Sequence, residues 1–214
     1  MPLARTLGPL GVGRGAAGPI TLISDALTDT DGVAIASHVI GPINNPGVSW
    51  ANGAGTYFIS SNRAKLAASV PGGHFVCGNC GYANVTVSAD VTTTAMGPGG
   101  YNNFGNGPGV VLRWVDAVRH WRIELNYFYS TIKILEFINT GSYVERASAP
   151  TITIVPGTFY RVSATASGTS ITATVNGGNI VSYASATNYL TSQRHGAASR
   201  NATDLIDNVL LTTP

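Results

Sequence analysis

Residues 84–92 read Asn-Val-Thr-Val-Ser-Ala-Asp-Val-Thr, with Val85, Val87, Ala89 and Val91 alternating against Thr86, Ser88 and Asp90. Period two held over that length specifies a β-strand with one face toward a core and one polar face. The pattern recurs at 119–127, where Trp121, Ile123 and Leu125 alternate with His120, Arg122, Glu124 and Asn126. Residues 130–138 (STIKILEFI) supply another strand. Residues 158–165 and 169–175 flank Ala166-Ser-Gly168 as the arms of a hairpin, Asn176-Gly-Gly178 turns the chain again, and 204–211 close it as a last strand. No stretch of twelve residues carries a convincing 3.6-residue period.

The expected fold class is therefore all-β. Short antiparallel strands with Gly-rich turns build a sandwich or a barrel, and a sheet of this size must bury one face against a second layer. The inner set includes Trp121, Ile123, Val162, Ile171 and Val175. Hydrophobic residues at 44% suffice for such a core, whereas charged residues reach only 10%. Ser, Thr, Asn and backbone must then supply most of the surface polarity. A formal charge of +2 is too small for a protein built to neutralise a run of phosphates, so nucleic acid is not an expected partner. No apolar run approaches the roughly 20 residues needed to span a bilayer, and the first residues lack an uninterrupted apolar segment of secretory type.

Residues 1–19 differ in texture from the rest. They hold Gly8, Gly11, Gly13, Gly15 and Gly18 together with Pro2, Pro9 and Pro19, and show neither apolar period. A segment of this kind builds no core of its own. It carries Arg5 and Arg14 and no acidic residue, so the chain from residue 20 onward is formally neutral. The expected organisation is an extended assembly arm, 1–19, and a body, 20–214.

Cysteine occurs twice, in Cys77-Gly-Asn-Cys80. A structural zinc site wants four ligands, and His38, His74, His120 and His195 have no ligand spacing toward this pair beyond His74 lying three residues before Cys77. The pair reads as a Gly-Asn turn between two strands whose thiols are either free or bridged.

The order Ser24-Asp25-Ala-Leu-Thr-Asp-Thr-Asp-Gly32, His38, Trp50, Gly55-Thr-Tyr-Phe-Ile59 and Ser61-Asn62 resembles the opening of concanavalin A-like (laminin-G-like) jelly rolls of bacteriophage structural proteins. The later order continues the resemblance through Val85–Val91, Gly109-Val-Val-Leu-Arg113, Asp116, the Trp121 strand, Gly141-Ser-Tyr143, Pro156–Arg161, Gly168, Val175-Asn-Gly177 and Asp207-Asn208-Val209. It covers roughly residues 20–213. It implies a two-sheet antiparallel jelly-roll sandwich with a concave and a convex face. It further implies a virion protein, assembled in the host cytoplasm as a minor tail or capsid-decorating component. Its partners would be other virion proteins, further copies of itself and a host surface glycan. The alternatives are a free carbohydrate-binding lectin and a glycoside hydrolase.

Arg113, Arg122, Glu124 and Lys133 are expected to project from adjacent strands onto the sheet face opposite Trp121, with Trp114, Tyr127, Tyr129 and Tyr101 as aromatic platforms for a sugar. The same aromatics also read as core or edge packing. Tyr101 and Phe104 stand in the Gly-rich loop 97–109, where binding function tends to collect. Hydrolysis would need two carboxylates flanking the bond. Glu124 has no second acid on its strand, so only a cross-strand pair with Glu136 would serve, and the expected protein is not an enzyme. No cofactor is expected. The resemblance implies a structural calcium where first and last strands meet, with Asp25 and Asp207 as oxygen donors; Asp207-Asn208 reads equally as a turn cap.

Overall fold

The computed structural model of the chain describes residues 18–40, 48–70, 72–92, 107–127, 129–139, 142–151 and 153–214. Arg5, Arg14, Tyr101 and Phe104 lie outside the described residues. The described chain is a two-sheet antiparallel sandwich, as expected. The eight-stranded sheet contains β1 (Thr21–Asp25), β3 (Tyr57–Ile59), β4 (Ala64–Leu66), β6 (Val85–Thr92), β11 (Tyr160–Ser167), β12 (Ser170–Val175), β13 (Gly178–Tyr183) and β15 (Leu205–Thr212). The seven-stranded sheet contains β2 (Trp50–Ala54), β5 (His74–Cys77), β7 (Gly109–Asp116), β8 (Arg119–Asn126), β9 (Thr131–Asn139), β10 (Ser142–Pro150) and β14 (Gly196–Ala198). Their orders are β13-β12-β11-β6-β15-β4-β3, with β1 also paired to β15, and β10-β9-β8-β7-β14-β5-β2. The one described helical element is the 3-10 turn Ile35–Ser37.

Alternation translates into burial as the sequence requires. Val85, Val87, Ala89 and Val91 of β6 meet Trp121, Ile123 and Leu125 of β8 in one core, which also contains Val162, Ile171 and Val175. The β11–β12 hairpin turns at Gly168 and the β12–β13 hairpin at Asn176-Gly177, all three with positive φ, as tight hairpin turns demand. Strand β10 was not expected from alternation. Two register shifts, at Ser142/Tyr143 and Glu145/Ala147, break its period, and it forms the edge of its sheet, where bulges and the terminal Pro150 are tolerated. Close packing in the seven-stranded sheet depends on glycine: a Cβ on Gly109 would lie 1.9 Å from the Ile123 carbonyl oxygen, and one on Gly196 2.0 Å from that of Phe75.

A polar clamp fixes the entry to the sandwich. Asp25, at the end of β1, accepts hydrogen bonds from the Leu27 amide at 2.8 Å and from the Trp50 indole at 2.6 Å. Its Oδ1 also lies 3.0 Å from Nε2 of His38, whose Nδ1 faces Asp29 Oδ2 at 3.1 Å. Burial by itself would depress the His38 pKa, but hydrogen bonds to Asp25 and Asp29 outweigh it and hold the ring above its ordinary 6.5. A carboxylate on each nitrogen favours the imidazolium. The clamp's stabilisation is therefore full below the unfolded-state pKa near 6.5 and is lost as pH rises through the raised folded-state value. Wild-type melting temperature is expected to fall across that window relative to His38→Gln, which removes the titrating group; parallel pH profiles for the two proteins would contradict the assignment.

Candidate functional site

The structure sorts the expected sugar-binding residues into three groups. Arg122, Glu124 and Lys133 do share the face opposite Trp121, because Glu124 pairs in register with Lys133 and Trp121 points into the core. They are not solvated, however: their exposures are 0%, 0% and 4%. Nη2 of Arg122 donates to the Gly107 carbonyl at 2.5 Å, and Nε lies 4.0 Å from Glu124 Oε2, the outer limit of an ion pair. Lys133 pairs with Glu145 at 2.9 Å. These side chains form an internal polar row out of reach of a ligand.

Arg113 leaves that face altogether. Its φ of 49° and the register shift between Leu112 and Asp116 rotate it out of alternation. The buried guanidinium donates to Gly168 O at 2.6 Å, Asn84 Oδ1 at 3.0 Å and Ala83 O at 3.3 Å, joining the two sheets at one end. Among the described aromatics, Tyr129 is exposed and lies 5.6 Å from the Lys133 ammonium, and Tyr127 packs against the core. Tyr101 lies outside the described residues.

Of the expected sugar-binding residues, Trp114 lines an open groove. The groove has a volume of about 370 Å³ and is formed by Asn79, Trp114, Val115, Tyr189, Gln193 and Arg194, with Thr191 and Ser192 between. Three distant chain segments meet there, and backbone hydrogen bonds lock them: Trp114 N–H to Arg194 O at 2.8 Å, Cys80 N–H to Gln193 O at 3.0 Å, and Cys77 N–H to His195 O at 2.7 Å. Trp114 is 8% exposed and does not present a bare ring, since the Arg194 guanidinium covers it at 3.9 Å from the ring centre. Its indole N–H donates to His74 Nε2 at 2.5 Å, and His74 Nδ1–H donates to Gly72 O at 2.6 Å. Burial drives the His74 pKa down to about 4, so this relay is neutral near pH 7. Tyr189 supplies the accessible ring, its hydroxyl donating to Phe137 O at 2.8 Å. Tyr189, Gln193 and Arg194 escaped the sequence reading because residues 184–195 have no period; the concentration of amide, hydroxyl and guanidinium groups at 188–194 is the signal available there.

The remaining expected sites resolve into structural roles. Asp25 belongs to the His38 clamp, while Asp207 lies 3.7 Å from Arg63 and accepts the Asn208 amide at 2.7 Å. First and last strands do meet, but the small pocket at that junction is lined by Arg161 beside Asp25, which opposes a second cation. Among the described residues no group of three His, Cys, Asp or Glu is arranged to hold a metal. Cys77 and Cys80 are buried thiols without a disulfide between them, at the end of β5 and in the following turn. Cys77 faces the core, whereas His74 bonds Trp114 on the opposite side of β5. Glu136 pairs in register with Trp121, places its carboxylate on Arg146 at 2.6 Å, and so lies on the sheet face opposite to Glu124. The two acids form no dyad.

A scan against protein-family models finds no match, and a search of curated proteins finds none. Among solved structures, the carbohydrate-binding module CBM66 from Bacillus subtilis is similar at 15% identity, covering 77% of this chain and 91% of that one, with a TM-score of 0.53. The exoplasmic/lumenal domain of VIP36 in its Ca2+/Man-bound form matches at 12% identity over 78% of this chain and 82% of that one, with a TM-score of 0.48. A sialidase from Trypanosoma rangeli, in complex with the inhibitor DANA, matches at 15% identity over 92% of this chain but 31% of its own, with a TM-score of 0.47. The first likeness establishes a shared fold; none of the three is a bacteriophage protein.

The buried row has a measurable cost. Burial lowers the Arg122 pKa and raises that of Glu124, so their mutual attraction does not repay desolvation of either. Replacing only Glu124 by Leu leaves a guanidinium that cannot deprotonate in the interior, and is expected to destabilise the fold by about 3 kcal/mol. Arg122→Met combined with Glu124→Leu is expected to regain wild-type stability or exceed it. Urea unfolding of the three proteins checks this, and a double variant no better than the single one would refute it.

Proposed function

We propose that the chain is a carbohydrate-binding domain that holds a sugar without turnover, in the groove between Trp114, Tyr189 and Arg194. The observation that carries this reading is the composition of the groove wall. A sugar ring presents an apolar C–H face and a rim of hydroxyls that both donate and accept. The groove offers Val115 and the Tyr189 ring to the first, and the Asn79 and Gln193 amides, the Thr191 hydroxyl and Arg194 to the second. Its volume falls within the usual range for small-ligand sites. Sharing a fold with a carbohydrate-binding module supports the reading.

What lines the groove supports a reading without turnover. Glycoside hydrolysis conventionally needs two carboxyl groups about 5–9.5 Å apart across the bond. Among the described lining residues there is none. In the setting implied by the sequence resemblance, the domain is carried on a virion by the arm 1–19 and the sugar is a host surface glycan. That placement rests on the resemblance alone.

A glycan array probed with the full chain is expected to retain selected sugars and release no reducing ends. Tyr189→Ala should weaken the retained ligand about tenfold, equivalent to about 1.4 kcal/mol. Tyr189→Phe, which keeps the ring, should bind as wild type. No selective retention would overturn the proposal. Release of reducing ends from a retained sugar would favour the glycosidase alternative instead.

A further inference from the structure

Arg194 differs from six other described arginines in how its nitrogens are used. Arg63, Arg119, Arg122, Arg146 and Arg161 each face a carboxylate, and Arg113 is surrounded by oxygen acceptors. Arg194 spends only Nε, on the Cys77 carbonyl at 3.3 Å. Its two terminal nitrogens have no hydrogen-bond or ion-pair partner among the described residues, and the guanidinium lines the groove. In a chain with only 12 Lys+Arg, a cation left half-buried and unspent needs an explanation.

That cation is also held in place. The guanidinium lies on the Trp114 ring, Trp114 is tied to His74, and His74 is tied to Gly72 O. His74 is neutral near pH 7, so the relay orients the indole without adding a second positive charge beside the guanidinium. Stacking on an indole covers one face of a guanidinium and leaves its edge of N–H groups free. That edge fits a planar carboxylate through two parallel hydrogen bonds. No acidic residue competes for it among the described groove residues. Asp116, two residues beyond Trp114, is already taken by Arg119 at 2.6 Å.

We infer that the groove takes an acidic sugar, of the uronic or sialic class, and that Arg194 receives its carboxylate. This rests on the carbohydrate-binding reading above and narrows it. Trp114 is then a positioning residue for Arg194 rather than a platform for the sugar. Because the guanidinium is fixed before binding, little side-chain entropy remains to be lost when the anion arrives.

The test compares ligands that differ only in charge, by calorimetry on the full chain: tetragalacturonate against its methyl ester, and sialyllactose against lactose. At least one acidic member is expected to bind about tenfold more tightly than its neutral partner, with the preference shrinking as salt screens the contact. Arg194→Gln should abolish the preference while leaving residual neutral binding. Arg194→Lys, which keeps charge but not the fork, should restore it only in part. Neutral ligands bound as tightly as their acidic partners would overturn the acidic assignment and leave carbohydrate binding standing. A preference that survives in Arg194→Gln would overturn the role of Arg194. Equal binding of a sulfated galactan would overturn the carboxylate in favour of anions generally. Failure of every sugar, charged or neutral, would instead sink the carbohydrate reading itself.

Discussion

The middle of the seven-stranded sheet is buried on both of its faces, and the rest of the molecule is arranged around that constraint. From His120 to Asn126 every residue of β8 is inaccessible, the apolar and the polar alike. An antiparallel sheet ordinarily packs one face and wets the other, which is why alternation usually marks in and out. In β8 it marks two kinds of interior instead. Trp121, Ile123 and Leu125 enter the core between the sheets, and His120, Arg122 and Glu124 enter a second, polar interior. His120 stacks on Phe137 at 4.4 Å, and burial depresses its pKa well below the usual value, so the ring sits there as a neutral aromatic.

Such an interior consumes charge. With charged side chains at 10% of the chain, most of the described ones are committed to pairs that close the structure. Arg161 ties Asp90 and the Asn208 carbonyl across β11, β6 and β15. Arg146 neutralises Glu136, which would otherwise be a buried acid at the sandwich edge. Arg113 is the most heavily used, because an arginine at positive φ is strained unless its surroundings over-determine it, and four acceptors from three chain segments do so. Against this background the sparing use of Arg194, which keeps only its Nε bonded, to the Cys77 carbonyl, is informative.

The fold was more legible in the sequence than the site. Strands β6, β8, β11 and β12 each keep period two over six residues or more, and period two depends only on local geometry. Strand β5, with four residues all buried, and β14, with three, have no alternation to read because both faces are covered. Burial of the expected polar face escaped the sequence for the same reason. Arg122, Glu124 and Lys133 were correctly assigned to one face, but no sequence pattern tells a wet polar face from a buried one. Trp114 was found, although its role as a support for Arg194 depends on contacts between residues 80 positions apart. Arg113 failed on a single backbone irregularity that flips a side chain to the other face.

Recognition on a scaffold of this kind depends on how firmly the groove is held before anything binds. Its walls come from three separate segments, residue 79, 114–115 and 189–194, and main-chain hydrogen bonds from Trp114 to Arg194 and from Cys80 to Gln193 tie those segments together. Residues 193–195 in effect prolong β14 between β7 and β5 beyond the last regular pair, so they inherit the rigidity of the sheet without its uniform side-chain period. Tyr189 reaches its position through a positive φ of 62°, a conformation that persists only when the surroundings enforce it, and its hydroxyl on Phe137 O is one of the contacts that do so. A groove built this way can change Asn79, Thr191 or Gln193 without disturbing the sheet, because none of those side chains enters the core. Under the proposed reading, specificity and stability fall to different atoms of the same few residues: backbone to the fold, side chains to the ligand.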